Sequence, residues 1–579
     1  MVETLVLLVA ALLTIAASTV ISSKIGVAAP LLLVVLGVGA SFLPAFTGFQ
    51  INPDLVLEGL LPPLLYSSAV SMPAMNFRRE FRAISGLSVL LVVGTSLLLG
   101  LFFMLVVPEV GFGWGVALGA IISPTDAVAT SIVKQTPVSK RVVAILDGES
   151  LLNDATALVL LKTAIAATAG AFSLWGAAGT FAYSVVVAVL IGATVGMVNL
   201  AIRKRVTDST VNTVISFTVP FLAAVPAELL DSSGLVAAVC AGLVTGYRAP
   251  RMLSPRNRLS DGQNWRTVEF VLEGIVFLTM GLQIKTILQK VEQEHSGIVI
   301  AMLIAVGALL ITIVARAAYV APLLASLAAR ARRYARMQPR YTGLQEKIST
   351  PEGRQETLEK IATRRASRAG KTRRVRKKGR IGTKRRSRVE MDFDRFTTRL
   401  TRGLADIDYF LRDPLGWREG TVVVWAGMRG AITVAAAQTL PLHETPRRAE
   451  LVLIAFTVAA LSLLVQGGTI GALLKLLSPD DPEADKAQAE FQQSERRRLL
   501  DLMRSSAESI PKTELPEDAP REERFAAAKQ HRVETLQAQR DALLDARDDG
   551  TFEADVLAEE LVDLDAAQIA IELRGRNSP

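Results

Sequence analysis

The chain has 579 residues, half of them hydrophobic, and a mean hydropathy of +0.36, too apolar for a soluble enzyme built around one core, so it reads as a membrane protein. Cys240 is the sole cysteine and the histidines are only His295, His443 and His531, which excludes an intrachain disulfide and leaves no Cys-rich or His-rich metal cluster to expect. The net charge of +9 is no nucleic-acid signature, because fourteen Lys or Arg fall between Arg364 and Arg388 while the apolar stretches are nearly uncharged.

A hydrocarbon core of about 30 Å takes about 20 apolar residues per helix. Thirteen segments come near that length: 3–22, 27–46, 54–73, 84–107, 112–133, 142–168, 174–202, 209–230, 233–247, 267–287, 296–327, 417–440 and 448–477. The expected fold is an all-α polytopic membrane protein of about 13 spans. No basic stretch precedes Val2, so the first span is expected to be retained and not cleaved as a signal peptide.

The connections alternate in charge. The odd ones through the ninth carry Lys24; Arg78, Arg79, Arg82; Lys134, Lys140, Arg141; Arg203, Lys204, Arg205; and Arg248, Arg251, Arg256, Arg258, Arg266, fifteen cations in all. The even ones carry only Lys285, Lys290, Arg447 and Arg448, four cations. Lys and Arg collect on the cytoplasmic side, so the N-terminus is expected outside and the C-terminus inside a plasma membrane. Four regions follow: spans one to eleven at 1–327, a basic cytoplasmic insert at 328–416, spans twelve and thirteen at 417–477, and a cytoplasmic helical tail at 478–579. The basic run at 364–388 is expected to be solvated or to meet anionic lipid headgroups, with no nucleic-acid role. In the tail, Leu543, Leu544, Val556, Leu557, Leu561 and Leu564 recur at helical spacing and predict an amphipathic hairpin whose acidic balance suits the basic insert.

A charge at the centre of a span costs roughly 2.5–3.5 kcal/mol on insertion scales, so each one calls for a partner, a wet cavity or a function. Span five reads Ser123-Pro124-Thr125-Asp126. Pro124 lacks an N–H and clashes with the preceding turn, which predicts a break near mid-membrane, with Thr125 oxygens freed as cation ligands and Asp126 facing the second half-helix. A plain proline kink is the alternative. Span six places Glu149, Ser150, Asn153 and Asp154 in two turns, with Ser150 and Asp154 on one face. A midplane carboxylate such as Asp154 can hold either a proton or a hard monovalent cation and cross in either neutralised form, which couples the two ions. The competing reading pairs Asp154 with Lys162 or an arginine purely for charge balance. Span ten adds Glu269 and Glu273, and span eleven Arg316. Span twelve carries Arg429 between Gly427 and Gly430, where local unwinding would let it meet the carbonyl end of a half-helix. Broken helices five and twelve stand seven apart, as in two inverted six-helix repeats, one to six and eight to thirteen.

Together, Ser123-Pro124-Thr125-Asp126, Gly148-Glu149-Ser150-Leu151-Leu152-Asn153-Asp154 and Gly427-Met428-Arg429-Gly430 resemble the sodium/proton exchangers of the monovalent cation:proton antiporter superfamily. Leu61-Pro62-Pro63 and Gly281-Leu282-Gln283 also fit that pattern. The resemblance covers 1–327 and 417–477. It implies a homodimer, with spans four to six and eleven to thirteen moving against a scaffold. It implies Na+ and H+ binding at Asp154, with Asn153 as its neutral companion and with Thr125, Ser150 and Asp126 as ligands or supports. It also implies a structural ion pair between Glu149 and Arg316. Asn before Asp marks the electroneutral subclass. Pro124, Arg429 and Glu273 are read as supporting residues. One departure stands out: Ser67 and Ser68 occupy the place where many relatives carry an acid on the third helix, which leaves Na+, K+ and Li+ open as cargo.

The reading is a secondary active Na+/H+ antiporter with alternating access, without covalent chemistry or a cofactor. A K+(Na+)/H+ antiporter is the alternative within the class. An intramembrane hydrolase built on Asp126 and Asp154 lacks a paired-aspartate motif of protease type. A transport-dead sensor signalling through the tail would not need Asp154, Asn153 and Thr125 intact.

Overall fold

The computed structural model describes residues 2–25, 27–46, 52–126, 128–134, 136, 138–168, 174–294, 297–370, 382–477, 482–511 and 520–574, and among these every regular element is a helix. The first half holds α1 (Val2–Ile25), α2 (Ala29–Ser41), α3 (Leu55–Ser71), α4 (Ala74–Val106), α5a (Gly111–Ile122), α5b (Val128–Val133), α6 (Lys140–Thr168) and α7 (Leu174–Arg203). Then come α8 (Ser209–Leu229), α9 (Gly234–Met252), α10 (Pro255–Gln293) and α11 (Ile298–Ser349). The remainder is α12 (Pro351–Gly370), α13 (Gly382–Arg412), α14a (Trp417–Trp425), α14b (Ala431–Gln438), α15 (Arg448–Leu477), α16 (Pro482–Glu508), α17 (Arg521–Asp549) and α18 (Ala554–Arg574). Eight of these helices are long and apolar enough to cross a membrane, and α2, α3 and α5a are shorter apolar helices. The chain is a multi-pass membrane protein. Lipid accounts for α1, which leaves Leu5, Val6, Leu13 and Val20 well exposed although all are apolar.

Two boundaries differ from those expected. The eleventh apolar segment was bounded at 327, but α11 runs 52 residues to Ser349. Hydropathy marks where a helix leaves hydrocarbon, whereas Ala, Leu and Arg keep helix propensity high well past that point. The tenth was bounded at 267, yet α10 begins at Pro255, where the Ser254 hydroxyl accepts from Asn257 N at 3.3 Å and proline occupies the first helical position. A capping signal, not hydropathy, sets that start.

The chain divides into two compact units, Met1–Leu324 with Leu415–Pro482, and Ala325–Pro414 with Glu483–Pro579. In the first unit, α3 packs on α9, α9 on α7 and α8, and α10 on α2, giving one layer of helices. A second group forms where α5a packs between α4 and α6, and α14b and α15 close against α5a. The second unit has its own core. Leu499 of α16, Leu536 and Leu543 of α17, and Val556, Leu557 and Leu564 of α18 are buried together. Gly550, at φ 71, ends α17 in the left-handed cap that lets α18 fold back. Arg402 and Arg412 of the basic insert pair with Asp549 (3.3 Å) and Glu553 (3.8 Å) of the tail. Of the basic run, residues 371–381 and the side chains of 364–389 lie outside the described residues, and with them the expected contact with headgroups.

Candidate ion-binding site

The fifth and twelfth apolar segments are both interrupted. Segment five leaves the helix after Ile122 and resumes at Val128; segment twelve leaves after Trp425 and resumes at Ala431. The two extended stretches meet backbone to backbone, with Asp126 N donating to Met428 O at 2.7 Å. Pro124 and the two glycines explain the breaks locally. The crossing itself needs close approach, since a β-carbon at Gly430 would overlap the Asp126 carboxylate and one at Gly427 would stand 2.6 Å from Arg316 Cδ. A side chain from another segment fills the space over each glycine, Asp126 of the broken segment five over Gly430 and Arg316 of α11 over Gly427.

The freed backbone groups are satisfied by side chains rather than left bare in low dielectric. Arg429 is 2 % exposed; its Nε donates to the terminal carbonyl of α5a, Ile122 O, at 3.1 Å, and Nη1 donates to Gly427 O. A cation therefore sits on the negative end of a half-helix, where a cation is favoured. The Arg429 N–H donates to Ser462 Oγ at 3.0 Å, Ser462 donates to Gln466 Oε1 at 2.5 Å, and Gln466 Nε2 donates to Trp425 O at 3.2 Å. Asp126 caps the other half-helix of segment five, its Oδ1 accepting from Val128 N at 3.0 Å.

On α6, Glu149 is held from several sides. Arg316 grips both oxygens, Nη1 on Oε1 and Nη2 on Oε2 at 2.7 Å, while Arg316 Nε donates to Val423 O at 2.8 Å. Thr125 Oγ1 donates to Glu149 Oε1 at 3.1 Å and accepts from Asn153 Nδ2 at 2.7 Å; the same amide donates to Thr125 O at 3.1 Å. Arg316, Glu149, Thr125 and Asn153 thus form one chain of hydrogen bonds that fixes the broken strand of segment five to α6.

Asp154 stands at the end of that chain and outside it. It is 5 % exposed, and among the described residues none donates to its carboxylate. Asn153 Oδ1 beside it is likewise buried and without a hydrogen-bond partner among the described residues. Asp126, a second negative group, acts electrostatically on Asp154. Lys162, the candidate counter-charge to Asp154, pairs with Glu228 at 2.7 Å instead, and Arg316 and Arg429 are committed elsewhere. Ser150 shares a face of α6 with Asp154, and its hydroxyl donates to Asp147 O at 3.2 Å within the helix.

Sequence reasoning did not anticipate how α10 reaches this region. Glu269 accepts from Ser67 Oγ (2.7 Å) and Ser68 Oγ (3.3 Å), so an α10 carboxylate lies against the α3 position where the acid was missing. Glu273, one turn on, stands within electrostatic reach of Asp126 and Glu269. Two adjacent serines in an apolar span were the available signal. Ser462 and Gln466, four apart on α15, were another.

The family model for "Sodium/hydrogen exchanger, transmembrane" matches residues 7–342 and 397–476, which takes in every residue of this site. The chain belongs to the sodium/hydrogen exchanger family. That family is one of transporters. Curated relatives of this exchanger-family chain include an uncharacterized Na(+)/H(+) exchanger of Mycobacterium tuberculosis H37Rv, 30% identical over 55% of this chain and 58% of the relative. The uncharacterized exchanger YjcE of Escherichia coli is 35% identical over 45% and 49%. The sodium, potassium, lithium and rubidium/H(+) antiporter of Bacillus subtilis is 30% identical over 45% and 40%. The chain spans about half the length of the curated relatives it matches. Its fold resembles that of the sodium proton antiporter MjNhaP1 from Methanocaldococcus jannaschii, with a TM-score of 0.52 at 14% identity over 83% of this chain and 100% of that one.

Proposed function

We propose that this exchanger moves a monovalent cation, Na+ in the first instance, against H+ by alternating access at Asp154. One observation carries the reading: among the described residues no group donates to the buried carboxylate of Asp154, and the Asn153 amide oxygen beside it is likewise unpaired. A bare carboxylate in low dielectric is costly, so the group is neutral only with an occupant. A proton and a cation are the two occupants small enough to share it. Asn153 Oδ1, the Thr125 oxygens and, after rotation of its hydroxyl, Ser150 supply neutral ligands to a hard cation, while Asp126 adds negative potential. Pro124 keeps the strand open and Arg429 anchors it. Glu149 with Arg316 is structural. Glu273 extends the acidic surroundings from the α10 side.

With Asn153 neutral, one titrating carboxylate meets one cation, which supports an electroneutral, one-for-one exchange. Thirteen spans in two inverted repeats, a homodimer and a plasma-membrane location with the N-terminus outside complete the proposal. The insert and tail are then cytoplasmic, with 364–388 meeting anionic lipid. No enzyme chemistry and no cofactor enter. A second reading, K+(Na+)/H+ exchange, is favoured by the broad cation set in the name of the Bacillus subtilis relative.

Proteoliposomes loaded with a pH-sensitive dye test the core claim. Na+ addition should move protons through the wild-type protein, and Asp154→Asn should reduce that flux to the background of empty vesicles. Equal fluxes from the two proteins sink the mechanism. Repeating the assay with K+ and Li+, with membrane potential clamped or free, separates the two readings and tests electroneutrality.

A further inference from the structure

A second polar constellation lies in the layer of α3, α7, α9 and α10, where α7 ends and α10 begins beside the basic loops. Arg203 is entirely buried at the last turn of α7. Its Nη2 stands 2.9 Å from Asp261 Oδ2 of α10, and its Nε donates to Asn212 Oδ1 at 2.8 Å. Arg203 and Asp261 both act electrostatically on Tyr66, whose hydroxyl stands beside Thr245 and Ser216. Asn199 lies one turn before Arg203 on α7, and Asn257 one turn before Asp261 on α10, so each pair shares a helix face. Asn257 is tied to the same end of α7, its Nδ2 donating to Val206 O at 3.1 Å.

These groups are buried, yet much of their bonding capacity is unused. Tyr66 Oη, both polar atoms of the Asn199 side chain, Arg203 Nη1, Thr245 Oγ1, Asn257 Oδ1 and Asp261 Oδ1 have no hydrogen-bond partner among the described residues. Buried polar atoms are almost always satisfied, and so many unsatisfied ones close together are not a stable dry arrangement. The set also defines its guest. Arg203 and Asp261 cancel, so an added anion would meet Asp261 and an added cation would meet Arg203. The open positions include donors (Arg203 Nη1, Asn199 Nδ2) and acceptors (Asp261 Oδ1, Asn257 Oδ1), with hydroxyls that serve as either. A small neutral molecule that both donates and accepts fits them.

We propose that this constellation binds a cluster of internal water molecules, about three at the usual ~3 hydrogen bonds per buried water. The site is separate from Asp154 and serves a different end. It keeps an ion pair charged at the junction of α7, α8 and α10 by hydrating it in place, and so locks that layer of helices together.

Radiolytic labelling of the full chain in proteoliposomes tests this, because X-rays generate hydroxyl radicals from bound water where it sits. Tyr66, 0 % exposed, should be modified several-fold more than Phe103, also 0 % exposed, and that labelling should persist under a bulk radical scavenger that suppresses labelling of Phe525 in the tail, 58 % exposed. The paired variant Arg203→Met with Asp261→Leu removes both charges together, a change that folded proteins tolerate far better than loss of one partner. It should bring Tyr66 labelling down to the Phe103 level. Tyr66 as inert as Phe103 in the wild type, or equally labelled in the paired variant, overturns the proposal.

Discussion

Glu149 and Asp154 stand on the same helix, both are buried, and hydrocarbon resists the charge on each; yet Glu149 has both oxygens on Arg316 and a further bond from Thr125, while Asp154 has no donor among the described residues. The difference shows how one helix serves two purposes. The saturated carboxylate fastens α6 to α11 and to the broken strand, and its bonds leave it nothing to exchange. The unsaturated one is held in place by its neighbours' bonds and keeps its own coordination open. Gly148 through Asp154 thus sets a fixed post next to a carboxylate free of protein donors among the described residues, the contrast on which the proposed exchange rests.

The comparison breaks most sharply by removing one carboxyl at a time. Asp154→Asn should end cation-driven proton movement while leaving thermal unfolding in detergent close to wild type, since no protein bond is lost. Glu149→Gln or Arg316→Met alone should instead destabilise by about 3–5 kcal/mol, because each strands a buried charge. Joining Glu149→Met with Arg316→Met should recover most of that loss. If the single changes at Glu149 and Arg316 leave the melting transition where it was, the pair is not structural. A smaller effect is expected at the crossing. Gly430→Ala puts a methyl into the Asp126 carboxylate and should cost about 1–3 kcal/mol with a matching fall in flux. Wild-type flux from that variant would mean the strands need not approach so closely.

A third carboxylate, in the second compact unit, sharpens the contrast. Glu495 in the tail is 2 % exposed, accepts from Arg498 at 2.8 Å and from Glu553 N at 3.3 Å, and is nevertheless pushed above the ordinary carboxylate range by burial. A raised acid stabilises the fold below its unfolded pKa, and that contribution is lost as pH rises through the raised folded value. Hydrogen exchange of the amides around Leu499 should therefore quicken modestly as pH climbs past the carboxylate range, beyond the intrinsic rate change. Glu495→Gln should flatten that dependence; an unchanged profile would remove Glu495 as its source.

Much of the fold was legible because hydrocarbon imposes a length. Each of the apolar segments lies on helix in the structure, and Pro124 and the Gly427/Gly430 pair mark the breaks. The ends of α10 and α11 were not legible from hydropathy, since capping and propensity set them. In the site, residue types and spacing on α6 pointed to Glu149, Asn153 and Asp154 as a group, and the isolation of each charge in its span pointed to Arg316 and Arg429. Spacing within α6 also put Ser150 on the Asp154 face, but a hydroxyl one turn from a backbone carbonyl bonds to it first.

What the sequence by itself determined is the class of structure and the inventory of charges, because burying a backbone or a carboxylate in lipid leaves few solutions and those solutions have a fixed length and composition. Only the tertiary structure decided which charges neutralise each other. Partner choice depends on distances between helices far apart in the chain: Lys162 goes to Glu228 and Arg316 to Glu149, so Asp154 is left open. Glu269, from α10, meets the two serines of α3 that seemed to mark a missing acid. A sequence lists the charges; which of them remain unpaired is a property of how the helices pack.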